Sequence, residues 1–153
     1  MAHEIRKLVA KHGEIRFRPN VLADLPWEQF APELFSLRFD NGDAVPVKFY
    51  DYTKYPSSKR GTLPNYRLVG SVHERHSDND IRGMVNDYGS AAVVFDTLRD
   101  KPLPAIYTAH NITVTDGDKS DDRTVASETG VIIGLRAKGA AIGATGNSFI
   151  RTA

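Results

Sequence analysis

Short apolar segments recur along the chain and are separated by polar or mixed segments. They are rich in β-branched and aromatic residues, which favour strands over helices. The six predicted strands are Glu14–Arg18, Val45–Tyr52, Tyr66–Val72, Ser90–Asp96, Asn111–Thr115 and Gly130–Arg136. Two of them, around Ala91–Phe95 and Val131–Leu135, lack strict alternation of apolar and polar residues. This pattern indicates burial on both faces, as in a parallel sheet.

Three segments between these strands have apolar residues at helical spacing. The predicted helices cover His3–His12, Asp24–Phe35 and Ser77–Tyr88. Gly13 and Gly89 stand where the first and third helices are expected to end, and Asp24 is the expected amino-terminal cap of the second. Pro32 lies inside the second pattern, so that helix is predicted to be short or kinked.

The spacing of the strands predicts the fold class. Their centres are roughly 20 to 33 residues apart, which is the length that a crossover between parallel strands needs. We predict an α/β fold with a mostly parallel sheet, arranged as an incomplete (β/α) barrel-like domain, because six units are fewer than a closed barrel requires. Residues 1–138 are the expected single domain, and the Gly- and Ala-rich residues 139–153 are the expected loop or tail. Because open sheet edges favour pairing, we expect a homo-oligomer that covers them.

The composition excludes several classes of function. The chain has 153 residues, no Cys, and 20 Lys and Arg against 19 Asp and Glu, so its formal net charge is +1. Without Cys it cannot form a disulfide, hold an iron–sulfur cluster or use a cysteine nucleophile. The near-zero charge disfavours general nucleic-acid binding but allows a local basic patch. No apolar run is long enough to cross a membrane, and the first residues lack a signal-peptide core, so we expect a cytoplasmic protein.

The strongest candidate chemistry lies in the acidic segment that follows the fifth predicted strand. Residues after a parallel strand reach the edge of the sheet where α/β proteins place their sites. Asp116, Asp118 and Asp122 could act as acid and base, because closely spaced carboxylates raise one pKa. Asp116 and Asp118 could also hold Mg²⁺, and Arg123 could neutralise a phosphate. A solvated acidic turn is the simpler alternative, since Asp-Gly is a common turn pair.

Two further segments carry candidate ligand-binding residues. Lys138 and Gly139 follow the last predicted strand, where backbone N–H groups of a Gly-rich turn can approach a phosphate. The alternative is a flexible tail with a solvated lysine. Tyr52 and Lys54 end the second predicted strand, where an aromatic ring and a nearby cation could contact a base and its phosphate. The alternative places the tyrosine partly in the core and the lysine on the surface.

Five segments carry a resemblance to a known family. They are Phe17–Phe30, Lys48–Lys54, Ala91–Phe95, Thr115–Arg123 and Gly130–Gly139. They resemble the later, carboxyl-terminal part of the phage gene-product-88 family of actinobacterial phages, without its cysteine-containing first half. The resemblance implies a βα-barrel-like fold and a phage or prophage protein in the cytoplasm of a bacterial host. The cysteine spacing of that first half is similar to radical-SAM enzymes, and we do not extend this chemistry to a chain without Cys.

Two hypotheses for the function follow. The first is a phage protein that binds a phosphorylated ligand, a nucleotide or nucleic acid at the carboxyl ends of its strands, with or without Mg²⁺. The second is a non-enzymatic structural or host-interaction module of a phage, which the missing Cys and the near-neutral charge favour. Neither the substrate, nor the reaction, nor whether the protein is an enzyme follows from the sequence.

Overall fold

Parallel pairing dominates the sheet of this protein. The computed structural model describes residues 1–124, 128–139 and 150–152. The described strands are β1 (Ile15–Phe17), β2 (Val47–Thr53), β3 (Tyr66–Ser71), β4 (Ser90–Phe95), β5 (Ile106–Tyr107), β6 (Ile112–Asp116), β7 (Val131–Arg136) and β8 (Ile150–Arg151). The described helices are α1 (Ala2–His12), α2 (Trp27–Phe30) and α3 (Asp78–Tyr88), with 3-10 turns at Pro32–Ser36, Ser57–Lys59 and Gly117–Lys119.

The strand order is β1-β2-β3-β4-β7-β6-β5, with β8 paired to β4. Every neighbouring pair is parallel except β5 and β6, which are antiparallel. The predicted α/β fold with a mostly parallel sheet is therefore confirmed. The described strands form an open sheet with β1 and β5 at its edges, and it does not close into a barrel.

All six predicted strands are present within a few residues of their predicted bounds. The strands β5 and β8 were not predicted, because two residues each are too few to show a period. β8 comes from the segment predicted as a loop or tail, and the neighbouring residues 140–149 and 153 lie outside the described residues.

One face of the sheet carries α1, α3 and most of the buried apolar side chains. α1 contributes Ile5 and Val9 to a cluster over β2 and β3. α3 buries Ile81, Met84 and Val85 against β4 and β7. None of the described helices has the length and apolar character needed to cross a membrane.

The ends of α3 follow the sequence prediction. The hydroxyl of Ser77 accepts the backbone N–H of Asp80, and the carboxylate of Asp80 accepts the backbone N–H of Ser77, which completes a capping box. Gly89 ends the helix with φ of 79°, a conformation that glycine adopts without strain.

The second predicted helix differs from its prediction at its start. α2 follows Pro26 and has no side-chain cap. Asp24, the predicted cap, instead pairs with the buried Arg60 at 2.9 Å and accepts the backbone N–H of Lys54 at 2.7 Å. A buried guanidinium needs a charged partner more than a helix end needs a cap, because the helix end can be solvated. Pro32 divides the pattern into α2 and a 3-10 turn, so the predicted interruption is confirmed.

The opposite face of the sheet has a smaller apolar cluster, and β4 has two partners along one of its sides. The cluster consists of Val69, Ala92 and Ile133, with Tyr52 and Leu135 beside it. β3 and β4 pair through only two residues of each strand. β7 pairs along all of β4, so β8 pairs with the carboxyl end of β4 on the side of β3. β3 therefore ends beside the first half of β4, and β8 continues the pairing along the carboxyl half of β4.

Gly70 tests the packing of α3 on the sheet. A Cβ at Gly70 would lie 2.7 Å from Cβ of Met84, so we expect Gly70→Ala to lower the free energy of unfolding by about 1–3 kcal/mol. A Cβ at Gly83 in α3 would meet no atom within 4 Å, and Gly83→Ala should raise it by about 0.5–1 kcal/mol. Urea unfolding followed by circular dichroism measures both. Equal stability of Gly70→Ala and the wild type would contradict this packing.

Candidate functional site

An open cleft of about 610 Å³ lies at the carboxyl ends of the parallel strands, on the face opposite α3. Its floor consists of side chains from four strands, namely Tyr52, Ser71, Ala92, Val94 and Leu135. Arg18, Lys138 and the segment 117–121 form its walls. Small-molecule sites usually occupy about 300–1,000 Å³ and occur at this end of open α/β sheets. The position and size both make the cleft the candidate site.

Arg18 brings a partly unsatisfied cation to this cleft. Its guanidinium carbon lies 4.7 Å from the centre of the Tyr52 ring. Its Nε is 3.6 Å from Oδ1 of Asp51, which is too long for a hydrogen bond. This Nε is buried, and within the described part of the chain the guanidinium has no hydrogen-bond acceptor. The side chain is 31% exposed, so its N–H groups remain available to an anion in the cleft.

A buried carboxylate holds the backbone around Arg18. Asp51 has no solvent exposure and accepts the backbone N–H of Asn20 at 3.0 Å and the Asn20 amide at 2.7 Å. It also accepts the backbone N–H of Tyr52 at 3.1 Å. Burial raises the pKa of Asp51, although these hydrogen bonds oppose that shift. Asn20 in turn accepts Nε1 of Trp27 at 3.0 Å, which extends the contact to α2.

A second buried ion pair continues this network. Arg60 donates to both oxygens of Glu28, at 2.8 and 3.1 Å, and to Asp24 at 2.9 Å. It also donates to the hydroxyl of Tyr66 at 3.1 Å, and that hydroxyl donates to Asp51 at 3.3 Å. The chain between Arg18 and α2 is thus held against β2 by charged groups that are removed from water.

Arg123 holds the other wall of the cleft. Its side chain is buried and uses all three guanidinium nitrogens. Nε donates to the hydroxyl of Tyr52 at 2.6 Å, and the terminal nitrogens donate to the carbonyl of Gly117 at 2.6 Å and to Glu128 at 3.1 Å. Arg123 therefore positions Tyr52 and the segment after β6, and its donors face the protein instead of the cleft.

Two of the predicted catalytic carboxylates share one arginine. Asp116 accepts two hydrogen bonds from Arg136, at 2.9 and 3.0 Å. Asp118 accepts the side chain of Arg136 at 3.1 Å and its backbone N–H at 3.0 Å, and it pairs with Lys138 at 2.9 Å.

These contacts keep both carboxylates ionised. The hydrogen bonds from Arg136 lower the pKa of Asp116. Burial acts to raise the pKa of Asp118, but hydrogen bonds from Lys138 and Arg136 outweigh it and lower the pKa. Near neutral pH both groups are therefore proton acceptors and counter-ions, and neither can donate a proton while its ion pair is intact.

The structure brings some of the predicted site residues together. Those that line the cleft are Tyr52, Asp118 and Lys138. Lys54 lines an adjoining cavity of about 220 Å³, and Gly139 lines another of about 680 Å³. Those that do not line the cleft are Asp116, Asp122 and Arg123.

The predicted chemistry of the carboxylates remains untested. Asp122 accepts the backbone N–H and hydroxyl of Thr124 and lies 3.4 Å from Nε of Arg16. The catalytic roles of Asp116, Asp118 and Asp122 stay predictions. So does Mg²⁺ at Asp116 and Asp118: in residues 1–124, 128–139 and 150–152 no group of three or more His, Asp or Glu is placed to hold a metal ion.

Arg18 and Lys119 line the cleft and were not predicted. A pattern for Arg18 exists in the sequence, because Arg16, Phe17 and Arg18 alternate between cation and aromatic ring at the end of the first strand. Alternation places Arg18 on the same face as Tyr52. Attention to that face of β1 would have added Arg18 to the predicted site.

The ion pair of Asp116 with Arg136 predicts that the free energy of unfolding depends on pH. Because the pKa of Asp116 lies below its ordinary value of 3.8, the unfolded chain binds more protons in this range than the folded protein. The stabilising contribution of Asp116 is therefore complete at pH values above the ordinary pKa of 3.8. It is lost as the pH falls through the lowered pKa of the folded protein. We expect the free energy of unfolding to fall less in Asp116→Asn than in the wild type between about pH 5 and pH 2.

Urea unfolding across this pH range is the measurement, and Asp100→Asn at an exposed position is the matched control. The raised pKa of Asp51 has the opposite effect on the free energy of unfolding. Its folded form binds more protons than the unfolded chain, so this contribution to stability is lost as the pH rises. Asp51 is present in both proteins and cancels in the difference. Identical pH profiles for Asp116→Asn and the wild type would contradict the role of the Arg136 pair.

Comparison with known proteins places the chain in one family. The family model described as gene product 88 matches residues 1–151. No curated protein and no solved structure is a match to the chain. The expected resemblance to only the later part of the family is not supported, because the match covers nearly the whole chain and includes α1, β1 and β2. The chain belongs to the gene product 88 family of phage proteins.

Proposed function

We propose that the protein binds a phosphorylated ligand of nucleotide size in the cleft at the carboxyl ends of its strands. The observation that carries this proposal is Arg18, whose guanidinium lies in the cleft without a hydrogen-bond acceptor from the described residues. The Nε is buried without an acceptor among the described residues, which is costly, and a phosphate can accept two N–H groups of an arginine at once.

The charges around the cleft support an anionic ligand. Arg18, Lys119 and Lys138 line it, against the two carboxylates of Asp118 and Asp121. Asp118 is already paired with Lys138 and with Arg136, which lies outside the cleft. Arg18 is paired with Asp51 at 3.6 Å, but its exposed N–H groups and Lys119 can meet an anion in this open, partly apolar recess.

The stacked pair of Arg18 and Tyr52 supports a ligand with a planar ring. Tyr52 is held by Arg123, and Arg18 covers the Tyr52 ring. A guanidinium plane that stacks on one aromatic ring can stack on a base with its other face. Of the three predicted acid–base groups, Asp118 lines the cleft and is held ionised. We therefore propose binding and leave the reaction open.

Removal of Arg18 tests this proposal. Loss of a hydrogen bond to a charged ligand costs about 1.5–3 kcal/mol, so we expect Arg18→Ala to weaken binding of a nucleoside diphosphate by about tenfold to a hundredfold. Isothermal titration calorimetry measures the affinity, and thermal melting without ligand shows whether the variant is folded.

Arg82→Ala is the matched control, because Arg82 is exposed on α3 at the opposite face. Arg18→Lys keeps the charge and loses the planar stack, so its affinity should lie between those of the wild type and Arg18→Ala. Unchanged affinity in a folded Arg18→Ala protein, or no binding of phosphorylated probes by the wild type, would refute the proposal.

Exposed apolar side chains favour a second candidate function, a non-enzymatic interaction module. Val21 is 75% exposed, Leu22 is 100% exposed and Phe30 is 71% exposed, all on the segment that follows the edge strand β1. Large apolar side chains exposed on one segment are typical of a protein–protein contact. The partner that we expect first is a second copy of the chain, because β1 also leaves an open sheet edge.

Light scattering tests this second candidate. We expect the molar mass of the wild type to rise above that of one chain with concentration, and the double substitution Leu22→Ser and Phe30→Ser to prevent the rise. The control is Leu98→Ser, an apolar residue that is 49% exposed in the segment after β4. A mass of one chain at all concentrations would rule out self-association.

A further inference from the structure

Three cavities adjoin one another along the carboxyl edge of the sheet. The central cleft shares Arg18, Tyr52 and Ser71 with the cavity of about 220 Å³. It shares Asp118 and Lys138 with the cavity of about 680 Å³. Arg136 also lines the third cavity, but its guanidinium is used by Asp116, Asp118 and the carbonyl of Lys101. The other cationic side chains that line the three cavities form what we call the cation row: Lys54, Arg18, Lys119, Lys138 and Arg99.

The cation row has more positive charge than its carboxylates neutralise. The carboxylates that line the same cavities are Asp24, Asp118 and Asp121, and Asp51 is the ion-pair partner of Arg18 at 3.6 Å. Asp24 is bound to Arg60, outside the row, so it offers the row little compensation. Lys54, Lys119 and Arg99 use no side-chain nitrogen in an ion pair or hydrogen bond with the described residues. These three cations give the row its excess of positive charge.

The cation row is longer than one phosphate group. Lys54 follows the end of β2 and Lys138 follows the end of β7, and these strands are three positions apart in the sheet. With strands spaced by about 4.8 Å, the row crosses about 14 Å of the sheet before it reaches Arg99. A single phosphate is contacted by groups within about 3 Å of its oxygens, so it can engage only part of the row.

We infer that the ligand is single-stranded nucleic acid, with successive phosphates along the cation row and one base stacked on Arg18. This inference rests on the proposed function and names its ligand class. A recessed row suits a flexible strand, whereas a duplex is usually read by an element that projects into a groove. Stacking on an arginine–tyrosine pair is independent of sequence, so we expect little sequence preference.

The dependence of affinity on the length of an oligonucleotide tests the inference. Fluorescence anisotropy measures binding of labelled oligothymidylates of two, four and eight nucleotides, beside a labelled nucleoside diphosphate. We expect affinity to rise with length, and Lys54→Ala and Arg99→Ala each to weaken the eight-nucleotide strand several-fold while they leave the diphosphate unchanged. Each should also reduce the slope of log affinity against log salt by about 0.7. Arg18→Ala should weaken both probes.

Matched variants separate loss of charge from loss of fold. Lys54→Arg and Arg99→Lys keep the charge and should restore binding, and Arg82→Ala on the opposite face should have no effect. If the diphosphate binds as tightly as the long strand and the end variants change neither, the extended ligand is refuted while the cleft proposal stands. Tighter binding of a duplex also overturns the inference. If no probe binds, the proposed function fails with it.

Discussion

The carboxylate of Asp51, enclosed at the end of β2, is the interaction on which the candidate site depends. It has no contact with solvent, and it accepts hydrogen bonds from both the backbone and the side chain of Asn20. Through the Tyr66 hydroxyl it joins the ion pair of Arg60 and Glu28. Removal of one partner from a buried charged pair costs about 3–5 kcal/mol, which is a large fraction of the stability of a domain. Loss of either partner is therefore expected to release the polar chain after β1.

Buried arginines on both sides give the cleft its shape. Arg60 holds the segment that carries Arg18, while Arg123 holds Tyr52 and the chain after β6. The N–H groups of both arginines are bonded to protein acceptors. These two arginines therefore position the walls of the cleft, and other cations at the surface are available to contact a ligand. The walls of the site thus consist of loops whose geometry is defined by charge-assisted hydrogen bonds. Side chains of β2, β3, β4 and β7 form the floor between these loops.

Much of the fold could be predicted because its determinants are local. The β-branched segments at β4 and β7 are buried on both faces, and the Ser77 capping box with Gly89 marks α3 in the sequence itself. What could not be predicted depends on distant partners. The sequence around Asp24 predicts a helix cap, but in the structure Asp24 pairs with Arg60, which is 36 residues away. β5 and β8 are strands only because β6 and β4 offer them an edge.

The sequence alone determined that this is a cysteine-free α/β chain whose acidic, basic and aromatic segments follow parallel strands. Residue types and periods carry that information, because each strand and turn depends on neighbours in the chain. Only the tertiary structure decided which partner each charged side chain has. In the folded chain Arg123 is buried and donates to the protein, and Asp116 accepts hydrogen bonds from Arg136. Nε of Arg18 has no acceptor among the described residues. Whether a charge faces a ligand or a protein partner depends on groups that packing brings within 3–4 Å, and spacing along the chain does not encode such contacts.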